Sequence, residues 1–159
     1  MASGAVILYE EQIDQINAAL LRLIKKAEAK CALLVDKDGH LITRQGFTQS
    51  LDTTALGALL AGSFASTREI ARLVGEPEFS VLFHQGQKDH IHIGLVGERS
   101  ILAIVFDDRT TIGMVRLYAK ETADRLRELL TQPPKGSARA LDTDFSRSAG
   151  ETIDNVFKE

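Results

Sequence analysis

Residues 79–106 read FSVLFHQGQKDHIHIGLVGERSILAIVF, and this stretch decides the fold. It holds three short apolar runs, Phe79–His84, His90–Val96 and Ser100–Phe106. Gly86-Gln87-Lys88-Asp89 and Gly97-Glu98-Arg99 part them, so the stretch predicts a three-stranded meander. Working outward, Ile112, Val115, Ala119, Ala123, Leu126 and Leu130 keep a helical period, which predicts a helix over Thr110–Thr131. Upstream, a long helix opens at Asp52, whose carboxylate can cap the first free N–H groups. It runs to Val74 and stops at Gly75, with Pro77 beyond. Before it, Lys30–Val35 and His40–Arg44 flank Asp36-Lys37-Asp38-Gly39 and form a hairpin. Tyr9–Glu28 carries Ile13, Ile16, Leu20, Leu23, Ile24 and Ala27 on one face of an amphipathic helix. The order α-β-β-α-β-β-β-α predicts an α+β domain with a five-stranded antiparallel sheet.

Beyond Leu130 the composition changes. Gln132-Pro133-Pro134-Lys135-Gly136-Ser137 reads as a linker, and Ala149, Ile153, Val156 and Phe157 mark a short amphipathic helix. The expected organisation is a domain over 1–131, a linker over 132–148 and a C-terminal helix over 149–159. A helix that short is marginal alone in water, so it needs a docking surface.

At 159 residues, area scaling buries roughly 69% of the unfolded chain's surface, enough for a core without disulfides or metals. Hydrophobic residues at 44% and charged residues at 26% exclude wholesale disorder. Net charge is −3, from 19 basic and 22 acidic residues, with no basic cluster beyond Lys25-Lys26. Phosphate binding needs clustered cations, so nucleic acid is not an expected partner. No apolar run reaches the ~18 residues of a membrane span, and no secretory leader is visible, so a cytoplasmic protein is expected. The lone Cys31 sits in an apolar run and reads as a small core residue.

Catalytic signatures are missing from the sequence. There is no GxxxxGK[ST] loop, GxSxG elbow, HExxH or CxxC. His90 and His92 share one face of a strand, and a five-residue loop would set His84 opposite His90. No fourth ligand is placed beside these imidazoles, so solvent-facing or interface histidines are expected rather than a metal site. Asp107-Asp108 reads as a capping, solvated pair.

The second helix separates into two stripes. Leu56, Leu60, Ser63, Thr67, Ile70, Ala71 and Val74 are expected to face the sheet. Opposite lie Ala58, Ala61, Gly62, Ala65, Glu69 and Arg72, nearly all small in the first half. A solvated face would carry Glu, Lys and Gln there, whereas small residues let another backbone approach closely. The competing reading is that Ala is simply a good helix former on an ordinary surface. An antiparallel sheet also leaves two edges, and two-fold strand pairing would cover one and set two second helices side by side.

The order of elements and several stretches resemble the Roadblock (dynein light chain) domain family, in its bacterial MglB-type branch. The stretches are Leu34-Val35-Asp36-Lys37-Asp38-Gly39, Leu51-Asp52-Thr53-Thr54-Ala55-Leu56 and Leu60-Ala61-Gly62. Phe83-His84-Gln85-Gly86, Val105-Phe106-Asp107 and Gly113-Met114-Val115-Arg116-Leu117 match further on, as does Ile153-Asp154-Asn155-Val156-Phe157. The resemblance implies a homodimer with a continuous sheet and paired second helices, binding a small Ras-like GTPase of the MglA type. It implies no active site and no cofactor in this chain. Instead, the dimer would accelerate GTP hydrolysis in cell polarity or motility without inserting an arginine finger, by reshaping the switch regions so that the GTPase's own Arg and Gln align. An aligned Arg contributes roughly 10³–10⁵ in rate, so the aligned state must be bound more tightly by about 4–7 kcal/mol. The implied GTPase-binding residues are Ala58, Ala61, Gly62, Ala65, Arg68, Glu69 and Arg72. Thr67-Arg68-Glu69 departs from the smaller residues usual in that branch. Ile153, Val156 and Phe157 correspond to the terminal helix that reaches a second site on the GTPase. The alternative is a Roadblock scaffold that binds a GTPase without altering hydrolysis.

Overall fold

Glu10–Ala27 form α1, in which Ile16, Leu20, Leu23 and Ala27 recur at helical spacing and are all buried. Glu10 and Glu11 in its first turn and Lys25 and Lys26 in its last complement the helix dipole. Glu28 ends it in the left-handed conformation, φ 54°, and the chain enters β1, Cys31–Asp36. The remaining elements are β2 (Leu41–Gly46), α2 (Thr53–Val74), β3 (Val81–Gln85), β4 (His90–Val96), β5 (Ser100–Phe106) and α3 (Ile112–Thr131). The computed structural model describes residues 8–131. The expected linker over 132–148 and helix over 149–159 lie outside the described residues.

The five strands form one antiparallel sheet in the order β2-β1-β5-β4-β3. This is the α+β architecture of the sequence expectation. β1 and β5 are central and buried along their whole length, which explains their unbroken apolar runs. On one face, Leu34, Leu102, Ile104 and Phe106 pack with α1 and α3. On the other, Cys31, Leu33, Val35, Ile93, Ile101 and Ala103 pack with Leu60 and Phe64 of α2. Each helix layer thus closes one side of the sheet.

Element limits shift where local hydrogen bonds decide them. β3 begins at Val81 rather than Phe79, because regular pairing with β4 starts at Val81 opposite Gly94. α3 begins at Ile112 rather than Thr110, since the Thr111 hydroxyl accepts from the Met114 N–H (3.2 Å) and caps the first turn.

The sheet-facing stripe of α2 also needs correction. The buried residues are Thr53, Gly57, Leu60, Phe64 and Ala71, whereas Ile70 and Val74 are exposed. The reason lies in the hairpin turn beneath the helix. Asp36 Oδ1 accepts from the Asp38 and His40 N–H groups (both 2.9 Å), which folds the turn tightly. Gly39, φ +93°, then presses on α2: a Cβ on Gly57 would lie 2.6 Å from the Gly39 carbonyl oxygen. That contact fixes the rotation of α2 about its axis. Gly57→Ala adds a methyl where backbone stands, and its better helix propensity offsets only part of the clash. The expected loss is about 2 kcal/mol, or roughly 6–10 °C in melting temperature. A thermal melt no lower than that of the unsubstituted protein would contradict the close approach.

Candidate functional site

The candidate site is the outward face of α2. Asp52 Oδ1 accepts from the Ala55 N–H (3.0 Å) and sets the start of the helix. Arg44 Nη1 donates to Thr53 Oγ1 (2.8 Å) and ties that first turn to β2. With the Gly57 contact, these bonds hold Ala58, Gly62, Ala65, Arg68, Glu69 and Arg72 at the surface. Ala61 is placed differently: it is half-buried against the core beneath α2. Glu69 and Arg72 pair along the helix, both exposed. Exposed pairs of this kind add little stability.

Four large apolar residues on this helix are exposed, and the sequence reading missed them on the surface. Leu73 is 85% exposed, Leu59 68%, Val74 64% and Ile70 51%. Ile70, Leu73 and Val74 lie near the end of the helix and Leu59 about three turns before them, and exposed apolar side chains of this size make the helix a candidate interaction surface. The signal was Phe64: reading it inward with Thr53, Gly57, Leu60 and Ala71 turns Leu59, Ile70 and Leu73 outward. Gly62 adds a second clue. A Cβ there meets no described residue within 4 Å, so nothing in the described protomer requires glycine at this helix-interior position. The residue costs the helix about 1 kcal/mol, and no described residue packs against it closely enough to need the missing side chain.

Beside α2, Ala58, Leu59, Gly62, Ser63, Leu82 and His84 line an open groove of about 550 Å³. Its far wall is β3, which among the described residues pairs only with β4 and so forms an edge of the sheet. Val81 and His84 on that edge are exposed. An unpaired edge free of Pro and Lys can accept another strand.

The histidines do not gather. The loop Gly86–Asp89 has four residues, so Gln85 pairs with His90 and His84 with Ile91. His84 therefore lies on the α2 face, opposite to His90 and His92. Those two are buried rather than solvent-facing. The His90 ring packs against Phe83 and Phe106, accepts from the Gly86 N–H at Nδ1 (3.2 Å) and contacts Asp108 through Nε2 (3.0 Å). Asp107 accepts from Arg109, which holds its carboxyl below the usual range. Burial pushes the Cys31 thiol up to about 11, so it is not a thiolate at neutral pH. Asp36, Asp38 and His40 bring three ligand-type atoms within 4.8 Å, but both Asp36 oxygens already serve the turn.

His92 gives a stability prediction. Burial first, and then the charge of Arg116, hold its pKa below the ordinary 6.5. The unfolded chain binds this proton more readily, so the contribution is fully present above about pH 6.5 and is lost as pH falls towards the folded-state value. One group can supply a slope of at most about 1.4 kcal/mol per pH unit. Melting temperatures from neutral pH down to about pH 5 should fall less steeply in His92→Gln. Equal slopes would place the acid sensitivity elsewhere.

Residues 15–106 match the Roadblock/LC7 domain. The solved structure of Myxococcus xanthus MglB is 46% identical, with a TM-score of 0.70, covering 72% of this chain and 94% of that one. The gliding protein MglB from Thermus thermophilus is 26% identical, with a TM-score of 0.76, over 81% of this chain and 98% of its own. A structure described as MglB with tetrameric arrangement is also 26% identical, with a TM-score of 0.77 and coverage of 81% and 97%. The match to the family runs from within α1 to the end of β5 and so takes in the whole sheet and α2; the chain belongs to the Roadblock/LC7 domain family.

Proposed function

We propose that this chain is a homodimeric activator of a small Ras-like GTPase of the MglA type, with no active site of its own. The observation that carries the reading is the outward face of α2, small at Ala58, Gly62 and Ala65 and apolar at Leu59 and Leu73, beside a β3 edge that no other described strand covers. A second copy pairs its β3 with this one and fills the groove beside Leu59, which sets the two α2 helices side by side. The doubled face then offers close backbone approach at its small residues, with Arg68, Glu69 and Arg72 along the flank. Similarity to MglB, including a tetrameric arrangement, supports association of this kind.

The dimer favours the GTPase conformation in which the partner's own catalytic groups are aligned. Binding that state more tightly raises its population and hence the rate. No arginine from this chain enters the nucleotide site. The likeness to MglB, in one case described as a gliding protein, supports a cytoplasmic role in cell polarity or motility. No helix among the described residues is long and apolar enough to cross a membrane.

The C-terminal residues Ile153, Val156 and Phe157, outside the described residues, dock on a second site of the GTPase through the 132–148 linker. Because α3 closes its face of the core by Leu129, deletion of 132–159 is expected to leave the melting temperature within about 2 °C while weakening GTPase binding. A large loss of thermal stability would contradict the separate tail.

Complex formation tests the reading. The chain is mixed with its candidate GTPase, loaded with GDP or a non-hydrolysable GTP analogue, and passed over a sizing column. Co-elution with the GTP-analogue form is expected. No complex in either state would remove the proposal, and a complex with unchanged turnover would leave only a scaffold.

A further inference from the structure

On the sheet face opposite α2, a cleft of about 480 Å³ opens between α3 and the β3–β4 hairpin. Its volume falls within the range of small-molecule sites. Val81, Leu102, Ala119 and Ala123 give it apolar walls, and Arg116, Lys120 and Asp124 follow one another along α3 at its rim. Spacing of four residues puts those three side chains on one face of the helix.

Two features of the cleft are left open by the described residues. His92, only 4% exposed, lines it, and its buried Nδ1 has no hydrogen-bond partner among the described residues. Buried polar atoms are nearly always bonded, so an orphan in a side chain that walls a cleft is unusual. Arg116 and Lys120 make no ion pair with a carboxylate among the described residues. Asp124 is engaged by Arg127 at 3.3 Å.

We propose that this cleft binds a small amphipathic monocarboxylate. Its carboxylate lies between Arg116 and Lys120, near the His92 ring that lines the cleft. Its apolar chain lies along Val81, Leu102, Ala119 and Ala123. Charge-assisted bonds to a guanidinium fix the head group, and the apolar walls select a ligand with a tail. Asp124 at the rim disfavours a second negative charge, which separates the site from a phosphate-binding one. The cleft and α2 lie on opposite faces of the sheet, so this site does not rest on the proposed GTPase reading.

The test follows the His92 ring by NMR in the full chain while hexanoate is added. A saturable shift is expected, half-complete on the order of 1–10 mM for a ligand of this size. Inorganic phosphate and hexylamine should not reproduce it. Arg116→Gln, at an exposed position, should weaken hexanoate binding at least about tenfold while the other core signals stay in place. An absent or non-saturating shift would overturn the proposal. So would an equal response to phosphate, or unchanged hexanoate affinity in Arg116→Gln.

Discussion

Ala65→Arg is expected to lower affinity for the GTPase at least about 100-fold, or about 2.7 kcal/mol, and to leave the homodimer intact. Ala65 is exposed, one turn before Glu69 and two turns before Arg72 on the flank of α2. A methyl there permits a partner backbone to come close. Arginine replaces it with a long side chain that must either clash or be desolvated, and it adds a third cation beside Arg68 and Arg72. Because the position is exposed in the protomer, stability should change by no more than about 0.5 kcal/mol. Calorimetric titration against the GTPase measures the affinity, and sedimentation reports the dimer. Wild-type affinity in this variant would mean that the GTPase binds another face.

Leu59→Arg should have the opposite pattern, breaking the dimer first. Leu59 is 68% exposed and lines the groove between α2 and β3, where the second copy would sit. A buried leucine at an interface contributes about 1.5–3 kcal/mol by removal from water, and a charge in its place adds a desolvation cost. The dimer dissociation constant should therefore rise by at least about 100-fold, so that sedimentation equilibrium at micromolar concentration gives the protomer mass. GTPase binding falls with it, because one α2 presents only half of the face. A Leu59→Arg chain that remains dimeric would remove the α2–β3 groove from the interface.

The fold was legible in the sequence because its signals were local. His90–Val96 and Ser100–Phe106 are bounded by glycine turns and match β4 and β5 residue for residue. Asp52 and Gly75 bracket α2 as cap and stop. The rotation of α2 was not legible. Its 22 residues include apolar side chains all round, so two wheels fit almost equally well. The choice depends on a long-range contact, the Gly39 carbonyl against Gly57, which no local period reveals. Leu59 and Leu73 were hidden for the same reason, since leucine in an amphipathic helix reads as core. Parity misplaced His84: one residue fewer in the loop sends its side chain to the other face. The cleft around His92 joins residues from β3, β4, β5 and α3, and only the packed structure brings them together.

The most direct measurement is GTP turnover by the partner GTPase at saturating concentrations of this protein, with the native chain and with Arg68→Ala/Arg72→Ala side by side. The native dimer should raise turnover at least about tenfold, which corresponds to about 1.4 kcal/mol of preference for the aligned state. At saturation the double variant should stimulate to a similar level, since neither arginine enters the nucleotide site. Turnover that the native chain leaves unchanged, or stimulation that vanishes at saturation with the two arginines, would contradict activation by reshaping the switch.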